Sequence, residues 1–224
     1  MTRTEAQNAI QANMTGQRRV FAVDEHLFHQ GDADRGLYKI LSGTVTVYRV
    51  TADGYRQIEA FAGPGDYVSL CLSSTSPTSA EALSPVETDY VSRAAFERRL
   101  LEDAAFRAEV FRDIDKAAAD ARRQATLLAC RCAKERVADF VLFLAGRFRP
   151  RADGYIPIPM SRCDMADHLG LTLETVSRML NRLKQTGIID LPRPDRFRIV
   201  DIGRLRRQAG RGDSGACDPG EIAV

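Results

Sequence analysis

The sharpest alternation of apolar and polar positions lies between Ser161 and Gly187, SRCDMADHLGLTLETVSRMLNRLKQTG. Met165, Ala166 and Leu169 recur at helical spacing over the first third of this stretch. Val176, Met179, Leu180 and Leu183 do the same further on. Two short amphipathic helices are therefore expected. Ser161 with Asp164 three residues on has capping-box spacing and marks the first N-terminus. Gly170 ends that helix, where a residue tolerant of positive φ is needed. Thr172 caps the second helix and Gly187 stops it. Glu174, Ser177, Arg178 and Asn181 are left on the outer face. Two such helices joined by a tight turn form a helix-turn-helix, whose second helix enters the DNA major groove with its N-terminal residues on base edges.

Other periods surround this motif. Residues 20–91 alternate as short β signals between turn residues such as Gln30-Gly31-Asp32, Asp53-Gly54 and Gly63-Pro64-Gly65-Asp66, which suggests a small double-layered β-roll. From Asp103 to about Leu128 a long helix is expected. Along it Val110, Ile114, Ala117, Ala121, Gln124 and Leu128 alternate steps of three and four. That spacing fits a homodimer seam, or a helix packed on its own β-roll. Residues 133–148 read as a further helix with Val137, Phe140, Val141 and Leu144 inward. Residues 155–159 and 198–201 look like strands, with a wing tip at 192–196 whose two arginines suit phosphate contact. The expected fold class is α+β. Its parts are a flexible arm (1–19), a jelly-roll-like β-roll (20–102), a dimerisation helix (103–128), a winged helix-turn-helix (129–209) and a disordered tail (210–224).

Composition narrows the function. The chain has 224 residues, 44% hydrophobic, with a net charge of +2. The charge is unevenly placed: −2 over residues 1–146, +7 over 147–211 and −3 over 212–224. The basic part holds the helix-turn-helix, as phosphate neutralisation requires. No apolar run reaches the length of a membrane span and no signal-peptide core is visible, so a cytoplasmic protein is expected. Five cysteines without a signal argue for free thiols. Nucleophile elbows, Walker loops and paired-carboxylate motifs are absent, so no enzyme is expected. On the outer face of the second helix, Arg178 offers a fork for guanine O6 and N7, and Glu174 an acceptor for cytosine N4. These two lie one turn apart.

The segment LGLTLETVSRML, with the basic and apolar run to Gly187, resembles the recognition segment of the CRP/FNR superfamily of bacterial transcription regulators. The likeness extends from about Val20 to Leu205. QGDADRGLYKILSGTVTVYR…GPGDYV is similar to the cyclic-nucleotide-binding type of β-roll. The resemblance implies that Glu174, Ser177 and Arg178 contact bases. The position of Leu173 is Arg in the cyclic-AMP receptor branch and aliphatic in the FNR and FixK branches, which points to TTGA-like palindromes. Thr172, Leu173, Thr175, Asn181 and Arg182 complete the expected DNA-binding set on that helix. Ser161 and Arg162 join it from the N-terminus of the first helix, a natural phosphate site. The family dimerises through the long helix and contacts RNA polymerase, so double-stranded DNA, RNA polymerase and a second copy are the implied partners, most simply for an activator.

Leu70 and Thr78 stand where the family's nucleotide-binding branch has Glu and Arg, so cyclic nucleotide is not expected. Residues 1–70 contain no cysteine, and Cys130 and Cys132 point apart if helical, so no iron–sulfur cluster or other metal site is expected. The FixK-like branch, which lacks the cluster, is favoured. His26 and His29, three apart near a strand, should face opposite sides. Haem ligation by His26, His29 or Cys71 stays open, and with it a haem- or small-molecule-gated sensor. Cys163, at the start of the first helix of the motif and beside Arg162, is a redox candidate, the alternative being a buried cysteine acting as a small hydrophobe.

Overall fold

In the computed structural model residues 16–33, 36–69 and 74–210 are described, Cys130 in its backbone only. The chain divides into two compact units, Met1–Asp120 and Ala121–Val224. The expected tail beyond Gly210, the residues of the expected arm before Gly16, Leu70 and Cys71 lie outside the described residues.

The first unit is built from β1 (Gln17–Phe21), β2 (His26–Phe28), β3 (Gly36–Ser42), β4 (Val45–Val50), β5 (Arg56–Ala62), β6 (Tyr67–Val68), β7 (Ser79–Ala82) and β8 (Val86–Ser92). They form two antiparallel four-stranded sheets, ordered β1-β8-β3-β6 and β2-β7-β4-β5. Strand β1 begins inside the stretch expected to be a loose arm. The β4–β5 hairpin turns at Asp53-Gly54, with Gly54 at φ +82°, the twist that Asp-Gly supplies. Phe21, Ile40 and Val86 from one sheet meet Leu27, Val45 and Ala82 from the other in a single core, so the sheets form the expected roll. His26 and His29 do not face opposite sides. A register shift between His26 and Phe28 bulges the strand, and the imidazoles stack with ring centroids 4.3 Å apart. Bulges break the period of two on which the opposite-face expectation rests.

Two helices follow, α1 (Arg93–Glu102) and α2 (Ala104–Cys130). Helix α1 contains no fully buried residue; only Phe96 and Leu100, one turn apart, pack partly buried against Leu37, Phe106 and Val110. The Asp103 carboxylate starts α2 by accepting from the backbone N–H groups of Ala105 and Phe106 at 3.0 and 2.9 Å. Phe106 and Val110 are buried against Leu37 of β3. Lys39 pairs with Glu109 and Asp66 with Lys116 at 2.6 Å. Val110 is therefore a core residue of its own chain, which corrects its place in the seam.

The second unit holds α3 (Ala133–Arg147), β9 (Ile156–Pro157), α4 (Arg162–Leu169), α5 (Leu173–Gln185), β10 (Ile189–Arg193), β11 (Arg196–Ile199) and α6 (Ile202–Gln208). Val137, Phe140, Val141 and Leu144 of α3 are buried as their spacing predicts. Complete burial of each stabilises by about 1.5–3 kcal/mol, an upper bound on area grounds. The wing is the sheet β10-β11-β9. Strand β11 starts two residues earlier than expected, and Asp201, expected to be in it, instead caps α6 by accepting from the Arg204 N–H at 2.8 Å. Strand β10 was not expected because it contains Pro192. Its ladder with β11 shifts register between Asp190 and Arg193, where a residue without an N–H is tolerated. Cys132 is disulfide-bonded, against the expectation that all five thiols are free.

Candidate nucleic-acid interface

The two helices of the motif are fixed at both ends by their own residues. The Ser161 hydroxyl accepts from the Asp164 N–H at 3.1 Å, while the Asp164 carboxylate accepts from the Ser161 N–H at 2.9 Å. This reciprocal cap satisfies donors that a helix start leaves open. Gly170 sits at φ +59° and φ at Gly187 is +68°, the left-handed conformation that both stops require. Thr172 caps α5, its Oγ1 accepting from the Thr175 N–H at 3.2 Å and donating to the Thr175 hydroxyl at 3.1 Å. Thr172 and Thr175 thus serve first to build the helix start.

Val176, Met179, Leu180 and Leu183 are buried, which turns the opposite face of α5 outward. Glu174, Arg178, Asn181 and Arg182 are exposed there, with Leu173 exposed and Ser177 half-buried. Glu174 and Arg178 could have closed an ion pair across one turn. Among the described residues neither has an ion-pair partner, so an acceptor and a cationic fork stand free side by side.

The other expected contacts are placed differently. Ser161 has its hydroxyl within the cap. Arg162 is turned toward the wing: Nη2 donates to the Pro194 carbonyl at 3.2 Å, and burial pushes its guanidinium below the usual arginine range. It ties α4 to the wing turn. At the wing tip Arg193 is exposed, whereas Arg196 pairs with Asp153 at 2.8 Å. Cys163 is a free, exposed thiol, so it is not a buried hydrophobe. Gln124 and Leu128 face the chain's own turn. Gln124 Nε2 donates to the His168 carbonyl, and Leu128 Cδ2 lies 3.2 Å from where a Cβ on Gly170 would sit. Arg136, which the sequence did not single out, donates to the carbonyls of Leu169 and Gly170 at 3.0 and 3.3 Å. No short-range pattern announces such a contact, because it joins residues more than thirty apart.

Among the described residues no group of three or more His, Cys, Asp or Glu is placed to hold a metal ion, and no helix is long and apolar enough to cross a membrane. The β-roll contains a cavity of about 350 Å³ bordered by Phe28, Asp32, Tyr38, Ser69 and Ser76.

A roll of two antiparallel sheets, a long helix and a winged helix-turn-helix together define a class. The cyclic nucleotide-binding domain family matches residues 18–103 and the Crp-like helix-turn-helix domain family residues 135–208. The chain belongs to the CRP/FNR family of transcription regulators with a DNA-binding helix-turn-helix, and within it is of FixK type. It is 37% identical over 180 residues to the nitrogen fixation regulation protein FixK of Bradyrhizobium diazoefficiens, covering 78% of this chain and 74% of that one. With FixK of Azorhizobium caulinodans it shares 35% over 199 residues, 86% of this chain and 79% of the other. The solved structure of FixK2 from Bradyrhizobium japonicum is similar at a TM-score of 0.80 and 30% identity, covering 90% of this chain and 99% of that one.

Proposed function

We propose that the protein is a cytoplasmic homodimeric activator that reads TTGA-like palindromes through α5 and contacts RNA polymerase from the bound site. The observation that carries this reading is the outward face of α5, where Glu174 and Arg178 stand free over a fully buried apolar face. Arg178 is the guanine reader and Glu174 the cytosine reader. Ser177, Asn181 and Arg182 extend the contact along the groove, and Leu173 supplies an aliphatic surface at its edge. Arg193 binds phosphate from the wing. Dimerisation uses the exposed stripe of α2, Phe111, Ile114, Ala117 and Ala121, and its twofold symmetry accounts for a palindrome.

The test is Arg178→Ala in gel-shift titrations at fixed salt. On a TTGA-type palindrome the variant should lose about 1–3 kcal/mol, and far less on random-sequence DNA. Equal losses on both would make Arg178 a phosphate ligand and remove the reading.

A second reading is favoured by the cavity between Phe28, Tyr38 and Asp32: a small effector bound in the β-roll gates DNA affinity. Purified, ligand-free protein that ignores DNA until a small-molecule extract is added would favour it over constitutive binding.

A further inference from the structure

Arg136 stands at the end of the first turn of α3, four residues beyond the short link that follows α2. Its guanidinium gathers four backbone carbonyls. Nε donates to Arg131 O at 2.9 Å and Nη2 to Leu128 O at 2.9 Å. Nη1 donates to Leu169 O at 3.0 Å and Gly170 O at 3.3 Å. Leu128 lies in the last turn of α2, and Leu169 and Gly170 close α4. The final carbonyls of a helix have no partner within it, and they carry the negative end of its dipole. Here two such ends converge on one cation. Gln124, one turn before Leu128, donates to His168 O. Three consecutive carbonyls at the end of α4 are therefore held by side chains from outside the motif.

These contacts bear on the turn that aims α5. Leu171 N–H reaches back to Ala166 O at 3.0 Å, and Thr172 then caps α5. Any displacement of residues 169–170 moves the cap of the recognition helix. Gly170 lies so close to α2 that a Cβ there would meet Leu128 Cδ2 at 3.2 Å and Arg136 Nη1 at 3.5 Å. The approach leaves little slack between the end of α2 and the turn.

We propose that Arg136 is a positioning residue for DNA reading: its guanidinium latches the end of α2 to the end of α4, so that the last turn of α2 sets the aim of α5. The proposal rests on the reading of α5 as the base reader. Arginine suits the task because its rigid fork presents five donors in one plane, whereas a lysine ammonium is a point charge that reaches one site at a time.

The experiment compares full-length wild type, Arg136→Gln and Arg136→Lys. Each is measured on a TTGA-type palindrome and on random-sequence DNA, with a thermal melt and amide hydrogen exchange of the free protein alongside. Arg136→Lys keeps a cation at the helix ends without the fork, and it carries the test alone if Arg136→Gln unfolds the second unit. The expected result for Arg136→Lys is a melt close to wild type and faster exchange at the amides of Gly170, Leu171 and Arg131 together. Its palindrome affinity should fall about tenfold, with random-sequence affinity nearly unchanged. Three results overturn the proposal. One is a Lys variant with wild-type palindrome affinity. Another is an equal loss on both DNAs. The third is exchange that rises at one helix end only. A wild type with no preference for the palindrome contradicts the reading of α5 itself. A wild type with that preference beside a Lys variant that keeps it contradicts the latch alone.

Discussion

Cys163 is the residue whose environment changes most between sequence and structure. The thiol is exposed at the second position of α4, where open backbone N–H groups favour a negative charge. The adjacent Arg162 contributes less than expected, because its guanidinium is drawn to the Pro194 carbonyl and to Met165 Sδ at 3.2 Å. Oxidation to sulfinic or sulfonic acid would fix a negative charge at the start of α4 that should meet the DNA backbone. We expect peroxide to weaken palindrome binding by the wild type and to leave Cys163→Ala unaffected in paired gel-shift titrations. Equal weakening of both proteins would exclude Cys163 as the sensor. Cys163→Asp, folded and dimeric, should bind poorly without oxidant, and normal affinity would sink the electrostatic explanation.

Among the elements, α5 was legible and α2 only half so. In α5 the apolar period, the Thr172 cap and the stop at Gly187 all agree, because each is set by residues within one turn of its partner. In α2 the step of three and four finds the helix but not which side faces what. Val110 is 2% exposed against β3, and Gln124 and Leu128 turn to the Gly170 region, whereas Phe111, absent from the expected stripe, is 63% exposed. The neighbours that decide these orientations are far away in sequence. Helix α1 and strand β10 give weak local signals: one packs only Phe96 and Leu100, partly buried, and the other contains a proline. The stripe that stays open holds Ile114, 42% exposed, and Ala117 and Ala121. Ile114→Asp should place a charge in a self-complementary apolar contact and shift the protein toward monomer. Sedimentation equilibrium at micromolar concentration reports it directly. An unchanged dimer, or a monomeric wild type, would move the interface elsewhere.

For the whole molecule, charge and fold say the same thing. The excess of +7 over residues 147–211 lies in the unit that contains the helix-turn-helix and wing, while the β-roll part is slightly acidic. Phosphate attraction by a basic surface is salt-dependent, and the exposed groups on α5 are the ones we propose to supply choice of sequence. A twofold dimer with one recognition helix per copy reads two half-sites about one helical turn apart, near 34 Å. The most direct measurement is selection of bound DNA from a random-sequence library by ligand-free, full-length protein at physiological salt. A palindrome with TTGA-like half-sites at that spacing should be enriched. Enrichment of single unpaired half-sites, or of no sequence at all, would contradict this reading.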